Sequence, residues 1–288
     1  MYIIEVKKMR KIKKTIKGEY KVTQHHALIE SYHIVNPLKL QHYRIILTAI
    51  STIQTTDTEF HTYTIAVKEL LKIFNITDKN HALIEKACEE LVGKGIKIKD
   101  EKGWTMYPWF QKIRYYKKEG VIEFQFPNDL KPYLLQLKKK EGLTSYRLEN
   151  ILRLSSVYTQ RIYEICFKWK KAGKCQFDID HFKKMIGATQ ESYSKAFGSL
   201  KQRVLLPAVE EINEKTDIEI SFKEIKTARK VTDIEFYIKE NEKNSKKEVQ
   251  PKVEETEDDV ILEATKKNTP KEDFERFIKD FQEKKEAE

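Results

Sequence analysis

The order of predicted helices and strands repeats along the chain and constrains its fold most. In each half, the pattern of apolar and turn residues predicts a helix, a short strand, a second helix, a turn, a longer helix and a hairpin. An offset of 114 residues relates Tyr63-x-Ile65 to Phe177-x-Ile179 and Leu71 to Met185. Two helices joined by a turn and followed by a β-hairpin form a winged helix. We therefore predict an α+β chain with two tandem winged-helix domains in pseudo-repeat.

The same patterns divide the chain into four segments. We predict a basic N-terminal arm over 1–25, a first winged-helix domain over 26–138, a second over 139–240, and a charged, largely disordered tail over 241–288. Within the first domain, residues 37–54 are predicted to form a helix. The tail ends with Phe274, Phe277, Ile278 and Phe281, whose spacing indicates a short amphipathic helix.

The charge is concentrated in the predicted folded part. The tail holds 11 Lys/Arg and 15 Asp/Glu of the chain's 55 and 45, which leaves a net charge of +14 for residues 1–240. A strongly basic globular body favours a polyanionic partner, because each neutralised phosphate releases counterions.

Other residue types indicate no catalytic or metal chemistry. The chain has three cysteines and no C-x-x-C pair, which is typical of a reducing compartment. It has no phosphate-binding G-x-x-x-x-G-K-[ST] motif, no secretory signal and no run of about 20 apolar residues. Asp178-x-Asp180 could be a pair of metal-binding carboxylates, but a helix start capped by Asp180 explains it more simply. We expect a cytoplasmic protein that is not an enzyme and uses no cofactor or metal.

The most informative element is a helix predicted over 191–214, with a kink at Pro207. Its apolar stripe faces the core. The N-terminal half of such a recognition helix meets base edges in the major groove, where Arg, Lys and Gln read guanine and adenine. A solvated basic face on a core helix is the alternative. The residues that we expect to contact DNA are Ser192, Ser194, Lys195, Ser199, Lys201, Gln202 and Arg203.

A basic connection follows this helix and favours the DNA-binding interpretation. Predicted strands at 218–222 and 234–238 enclose a stretch with Lys223, Lys226, Arg229 and Lys230, which would form the wing. The first domain offers a nearly neutral helix, and its hairpin region is basic, so we expect backbone contact or a protein interface there. Its candidate DNA contacts are His81, Lys86, Lys97, Lys112 and Arg114.

Two signals favour other functions less strongly. His25-His26 is the chain's only adjacent histidine pair and lacks the H-x-H spacing that nicking initiators use for metal. Five aromatic residues could stack on unpaired bases, although such residues more often belong to a hairpin core. These residues are Trp104, Tyr107, Trp109, Tyr115 and Tyr116.

Residues 26–240 resemble the iteron-binding replication initiators of theta-replicating plasmids. Three motifs carry this resemblance: Ser156, Tyr158 and Arg161 to Glu164; Leu200, Lys201, Arg203 to Leu205, Pro207, Ala208 and Glu211 to Asn213; and Arg229 to Val231 with Ile234 and Phe236. The second is the most specific. Phe126, Pro127, Leu130 and Pro132 to Leu134 are similar to the end of that family's first domain.

The resemblance implies binding to directly repeated double-stranded sites at a plasmid origin. It also implies a homodimer in equilibrium with a monomer, and contacts with a host initiator ATPase and the replicative helicase. A winged-helix transcriptional regulator that binds an operator as a dimer remains the alternative. A nicking enzyme is a third possibility, which would require metal-dependent DNA cleavage.

Overall fold

The computed structural model describes residues 16–17, 19–32, 38–54, 57–77, 80–135, 142–194 and 197–245. Predictions for most of the arm, Pro37, Lys195 and the tail helix lie outside these ranges. The described residues of the first half form strands β1 (Lys21–His25), β2 (Tyr63–Ala66), β3 (Gly95–Asp100), β4 (Gly103–Pro108), β5 (Lys112–Tyr116) and β6 (Val121–Gln125). Its helices are α1 (His26–Ile29), α2 (Leu40–Ser51), α3 (Val67–Ile73), α4 (His81–Leu91) and, after a 3₁₀ turn at Asn128–Leu130, α5 (Lys131–Leu134).

The second half follows the same plan. Its strands are β7 (Leu143–Arg147), β8 (Lys174–Asp178), β9 (Ile218–Thr227) and β10 (Lys230–Glu240). Its helices are α6 (Leu148–Leu152), α7 (Val157–Lys168), α8 (Ile179–Ile186), α9 (Glu191–Ser194), α10 (Phe197–Leu200), α11 (Leu206–Lys215) and α12 (Glu242–Ser245), with a π-helical turn at Lys201–Leu205 between α10 and α11.

Sheet topology confirms the predicted repeat. β2–β6–β5 and β8–β10–β9 are antiparallel sheets in which the first strand pairs with the third and the third with the second. The helices after the first strands begin at Val67 and Ile179, which are 112 residues apart. The structural offset is therefore two residues shorter than the predicted 114.

Among the described residues, the first half contains a hairpin that has no counterpart in the second. β3 and β4 pair with each other from Gly95 opposite Pro108 to Asp100 opposite Gly103, and Tyr32 bridges to Lys97 on the other edge of β3. The sequence predicts one basic hairpin region that includes this hairpin and the strands that follow it. Its two strands form a separate sheet, and only β5 and β6 correspond to the wing of the second half.

The last residues of the predicted arm are part of the fold. Lys21–His25 pairs antiparallel with Leu143–Arg147. Val22 and Gln24 are buried, while Thr23 and His25 are partly exposed, which is the alternation of a half-buried strand. The strand contradicts the arm predicted over residues 21–25. Local composition gives no sign of this strand, because its partner lies about 120 residues further along the chain. The domain boundary predicted after residue 138 stays a prediction.

A buried polar network also links distant elements. Glu164 on α7 accepts hydrogen bonds from Tyr43 on α2, Tyr146 on β7 and Gln24 on β1. Arg161, one turn earlier, donates to the carbonyl oxygens of Met185, Ile29 and Ser31. The network joins residues of both halves, and the described residues up to Ser245 form one compact unit.

Candidate nucleic-acid interface

The predicted recognition helix contains a π-helical turn between two α-helical segments, Phe197–Leu200 and Leu206–Lys215. Pro207 has no N–H for the carbonyl of Arg203, and its ring crowds that carbonyl in a regular α-helix. The chain forms a π-helical turn at Lys201–Leu205 immediately before the proline. The helical winding thus changes just before Pro207, and the predicted kink there stays a prediction. π-helical turns are rare in proteins, and those that occur are often found at functional sites.

The polar residues of this region differ in exposure. Ser192, Gln202 and Arg203 are exposed, and Ser199 and Lys201 are partly exposed. Val204, Leu205 and Ala208 are buried, as is Leu200. The π turn therefore presents Gln202 and Arg203 to solvent while its other face packs on the core. Lys195 and the side chain of Ser194 lie outside the described part.

The wing of the second half is longer than predicted. β9 and β10 extend to Thr227 and from Lys230, and they are joined by a two-residue turn. Lys223 and Lys226 therefore belong to β9, Arg229 to the turn, and Lys230 begins β10. All four are exposed. Apolar alternation predicts shorter strands, because charged residues replace apolar ones where the hairpin leaves the core.

The two faces of β9 carry different residues. Residues two apart on a strand share a face, so Glu224 and Lys226 continue the face of the buried Ile220, and Lys223 lies on the other. Lys201 Nζ lies 2.6 Å from Glu224 Oε1, which joins the π turn to the wing. Lys226 Nζ lies 3.7 Å from Glu224 Oε2. Lys201, Lys226 and Glu224 therefore form one cluster.

Glu224 was missed by the sequence analysis. It is the one acidic residue between Lys223 and Lys230, and this exception was the available signal. Its side chain is 18% exposed and faces Lys201 of the π turn from the wing. A carboxylate at this position lowers the positive charge of the surface where cations were predicted to act together.

The first half presents less positive charge on its corresponding helix. His81 and Lys86 on α4 are exposed, as are Leu83 and Glu89. Glu85 and Glu90 form ion pairs with Lys117 and Lys39, at 3.3 Å and 2.7 Å. The helix α4 carries three glutamates and one lysine. It would therefore attract phosphates less than α10 and the π turn would.

The remaining candidates of the first half lie on two separate hairpins. Lys112 Nζ is 2.7 Å from Glu123 on β6, and the Arg114 guanidinium lies over the Tyr116 ring at 4.6 Å. Lys97 lies on the extra hairpin, with its Nζ 3.9 Å from the ring centroid of Trp104. The structure therefore does not bring Lys97 into one wing with Lys112 and Arg114.

Several residues of the family-like motifs have internal roles. Glu211 accepts hydrogen bonds from the backbone and hydroxyl of Ser155, at 3.0–3.1 Å. Asn213 donates to the carbonyl oxygen of Ile220 and accepts from its N–H, at 3.0 and 2.6 Å. Tyr163 donates to Asp217 at 2.9 Å. These contacts fix α11 and the wing relative to α7, which positions the exposed side chains of the π turn.

The residues weighed for other chemistry have structural partners. Asp178 caps α8 by accepting from the N–H groups of Asp180 and His181, so the predicted cap at Asp180 was displaced by two residues. His25 caps α1 through its Nδ1 atom. Among the five aromatic residues, Trp109 is buried and Trp104 is 57% exposed. Within the described ranges, no helix is both long and apolar enough to cross a bilayer.

Comparison with known proteins identifies both halves. Residues 21–167 match the model of the initiator replication protein domain WH1, and residues 178–238 match that of the initiator Rep protein domain WH2. The first match extends beyond residue 138, where the sequence analysis placed the domain boundary.

One solved structure has the same architecture over most of the chain. The Pi initiator protein, solved in complex with iteron DNA, is 20% identical and has a TM-score of 0.65; the alignment covers 77% of this chain and 98% of Pi. The WH1 domain of MSBI1.176, a replication protein isolated from a multiple sclerosis patient, is 20% identical with a TM-score of 0.26, over 32% of this chain and 74% of that domain. The WH1 match alone covers half of the chain. The chain therefore belongs to the initiator replication protein family and carries that family's two winged-helix domains in tandem.

Proposed function

We propose that this protein initiates plasmid replication by binding directly repeated double-stranded sites, or iterons, at the origin. One observation carries the proposal: exposed Gln202 and Arg203 on the π turn adjoin a wing with exposed Lys226, Arg229 and Lys230. Cations beside base-reading side chains suit a duplex, because phosphate contacts hold the protein in register while base contacts specify the sequence. The iteron DNA bound by the Pi protein, which shares this fold, supports the same ligand.

The two halves would contact DNA in different ways. The second would read bases from the major groove through Gln202 and Arg203, and hold the backbone through the wing. The first would contact the backbone mainly through β5 and β6, because α4 carries three glutamates and one lysine. Two such modules on one face of DNA would cover roughly 20 bp.

The action proposed is binding alone, with no covalent bond broken. Occupied repeats would bend the origin and recruit a host initiator ATPase and the replicative helicase in the cytoplasm. A homodimer in equilibrium with the monomer would set how much protein can initiate. The membership of both domains in the initiator family supports the role in initiation.

Footprinting on DNA that flanks the gene tests the proposal. The purified full-length protein should protect regularly spaced direct repeats beside an AT-rich stretch, with affinity that falls steeply as salt rises. Protection of one inverted repeat over a promoter would instead indicate a dimeric regulator. Metal-dependent cleavage of supercoiled DNA would indicate a nicking enzyme, and an absence of any protection would overturn DNA binding.

A further inference from the structure

The cluster of Lys201, Glu224 and Lys226 joins the two elements of the proposed DNA-binding surface. Each carboxylate oxygen of Glu224 faces one lysine, at 2.6 Å for Lys201 and 3.7 Å for Lys226. Lys201 comes from the π turn, whereas Glu224 and Lys226 come from β9. One acidic side chain thus engages two cations that phosphates would otherwise attract.

We propose that Glu224 is a specificity-determining residue that weakens binding to non-cognate DNA. The proposal rests on the proposed function, since it assigns a role within the same surface. In the free protein Glu224 holds Lys201 and Lys226. Non-cognate DNA, which would be bound through its phosphates alone, must displace this carboxylate from both lysines. It must also approach a negative charge while doing so.

The position of Glu224 makes this competition effective. Its side chain is 18% exposed, against 38% for Lys201 and 55% for Lys226. The carboxylate is therefore less screened by water than an ordinary surface acid, while the lysine heads remain accessible to a ligand. A cleft of about 510 Å³ beside the pair, lined by Leu206, Val209 and Phe222 among others, gives Lys201 space to reorient.

Cognate DNA would avoid part of this penalty, because its base contacts would fix a register in which Lys201 stays paired with Glu224. Gln202 and Arg203 follow Lys201 directly and are exposed. Their hydrogen bonds to base edges form only when the sequence is correct. Specificity is a difference between two affinities, so a residue that weakens the wrong complex raises specificity without any contact to a base.

The experiment compares wild type with Glu224→Gln on two duplexes. One carries the repeat protected in the footprint, and the other has the same length and composition with a scrambled sequence. We expect the variant to bind the scrambled duplex about two- to fivefold more tightly. The plot of log affinity against log salt should steepen by about 1–2, because up to two lysines become free to displace counterions. Affinity for the repeat should rise less, so the ratio of the two affinities falls.

Glu219→Gln is the matched control. Glu219 lies on the same strand, forms a 3.2 Å ion pair with Lys239, and its replacement changes net charge equally. We expect Glu219→Gln to leave the ratio of affinities unchanged. An equal loss of discrimination in both variants would assign the effect to net charge and overturn the proposal.

A double variant tests whether the effect passes through Lys201. In a Lys201→Ala background, Glu224→Gln should change scrambled-duplex affinity less than it does in wild type. Two results would overturn the proposal: scrambled-duplex affinity and salt slope that Glu224→Gln leaves unchanged, or a weakened repeat complex alone, which would indicate a direct base contact. Failure of wild type to protect any repeat would instead remove the proposed function itself.

Discussion

Arg161 and Glu164 lie one turn apart on α7, with Arg161 Nη1 2.8 Å from Glu164 Oε2, and both side chains are almost fully buried. The pair is surrounded by hydrogen bonds rather than by water. Burial is the main cause that raises the pKa of Tyr43 and of Tyr146, so both phenols remain protonated donors to the carboxylate. The pair therefore anchors strands and helices that are more than 100 residues apart in the sequence.

Glu164→Gln should destabilise the protein strongly. The variant leaves the buried Arg161 without its counter-charge, and removal of one partner from a buried ion pair costs roughly 3–5 kcal/mol. Denaturant unfolding measures this change. Glu149→Gln is the control, because Glu149 is partly exposed and pairs with Arg153 at 3.4 Å. A loss at Glu164 no larger than at Glu149 would contradict the importance of the network.

The stability of the protein should fall as the pH drops below about 6.5. His42 on α2 is 1% exposed; burial, followed by the charge of Lys94, lowers its pKa from the ordinary 6.5. Its Nδ1 accepts from the Lys39 N–H at 3.1 Å, and its Nε2 faces Glu90 at 3.0 Å. Nδ1 can accept only in the neutral ring. The unfolded chain therefore binds this proton more readily than the folded one, so the stability present above pH 6.5 is lost under acid.

Urea unfolding near neutral pH and about one unit below the ordinary histidine pKa measures this loss. His42→Gln should reduce the difference between the two conditions, although it lowers stability at both. His81→Gln is the control, because His81 is exposed at the start of α4. If His42→Gln and wild type lose equal stability under acid, another group is responsible.

The repeated order of elements was predictable from sequence because it rests on local periodicity. Ile84, Ala87, Cys88 and Leu91 on α4 have helical spacing, and all four are buried. β1 was not predictable in this way. Val22 and Gln24 form a strand only because Thr144 and Tyr146 lie opposite them. A strand whose partner is distant is decided by tertiary contacts, and local propensity is a weak guide to it.

The candidate site was predictable in composition and less so in geometry. Lys223 and Lys226 both contribute to the positive charge of the wing, but they lie on opposite faces of β9. The extension of that strand decides the faces, and charged residues conceal it from a search for apolar alternation. The ion pair between Lys201 and Glu224 spans 23 positions and depends on how the π turn packs against the wing. Sequence periodicity carries no information on such a contact.

Lys226→Ala and Lys230→Ala should each weaken binding to every duplex by a similar factor. Both residues are exposed on the wing, where we propose that they neutralise phosphates. Each lost phosphate contact should reduce the slope of log affinity against log salt by about 0.9. Titrations at several salt concentrations measure the slope. Lys171→Ala is the control, since this exposed lysine precedes β8. A loss confined to the cognate repeat would contradict a backbone role for the wing lysines.

Arg203→Ala should weaken the cognate complex by about 1–3 kcal/mol and relax the base preference at one position of the repeat. Arg203 is exposed on the π turn while its neighbours Val204 and Leu205 are buried, so its guanidinium can reach a groove without disturbing the core. A guanine offers two acceptors that suit this group. Binding to a set of repeats with each base pair changed in turn measures both effects. Arg203→Lys distinguishes base reading from simple charge, because lysine keeps the cation and loses the planar pair of donors. Equal affinities for wild type and Arg203→Ala across that set would show that the π turn does not read bases.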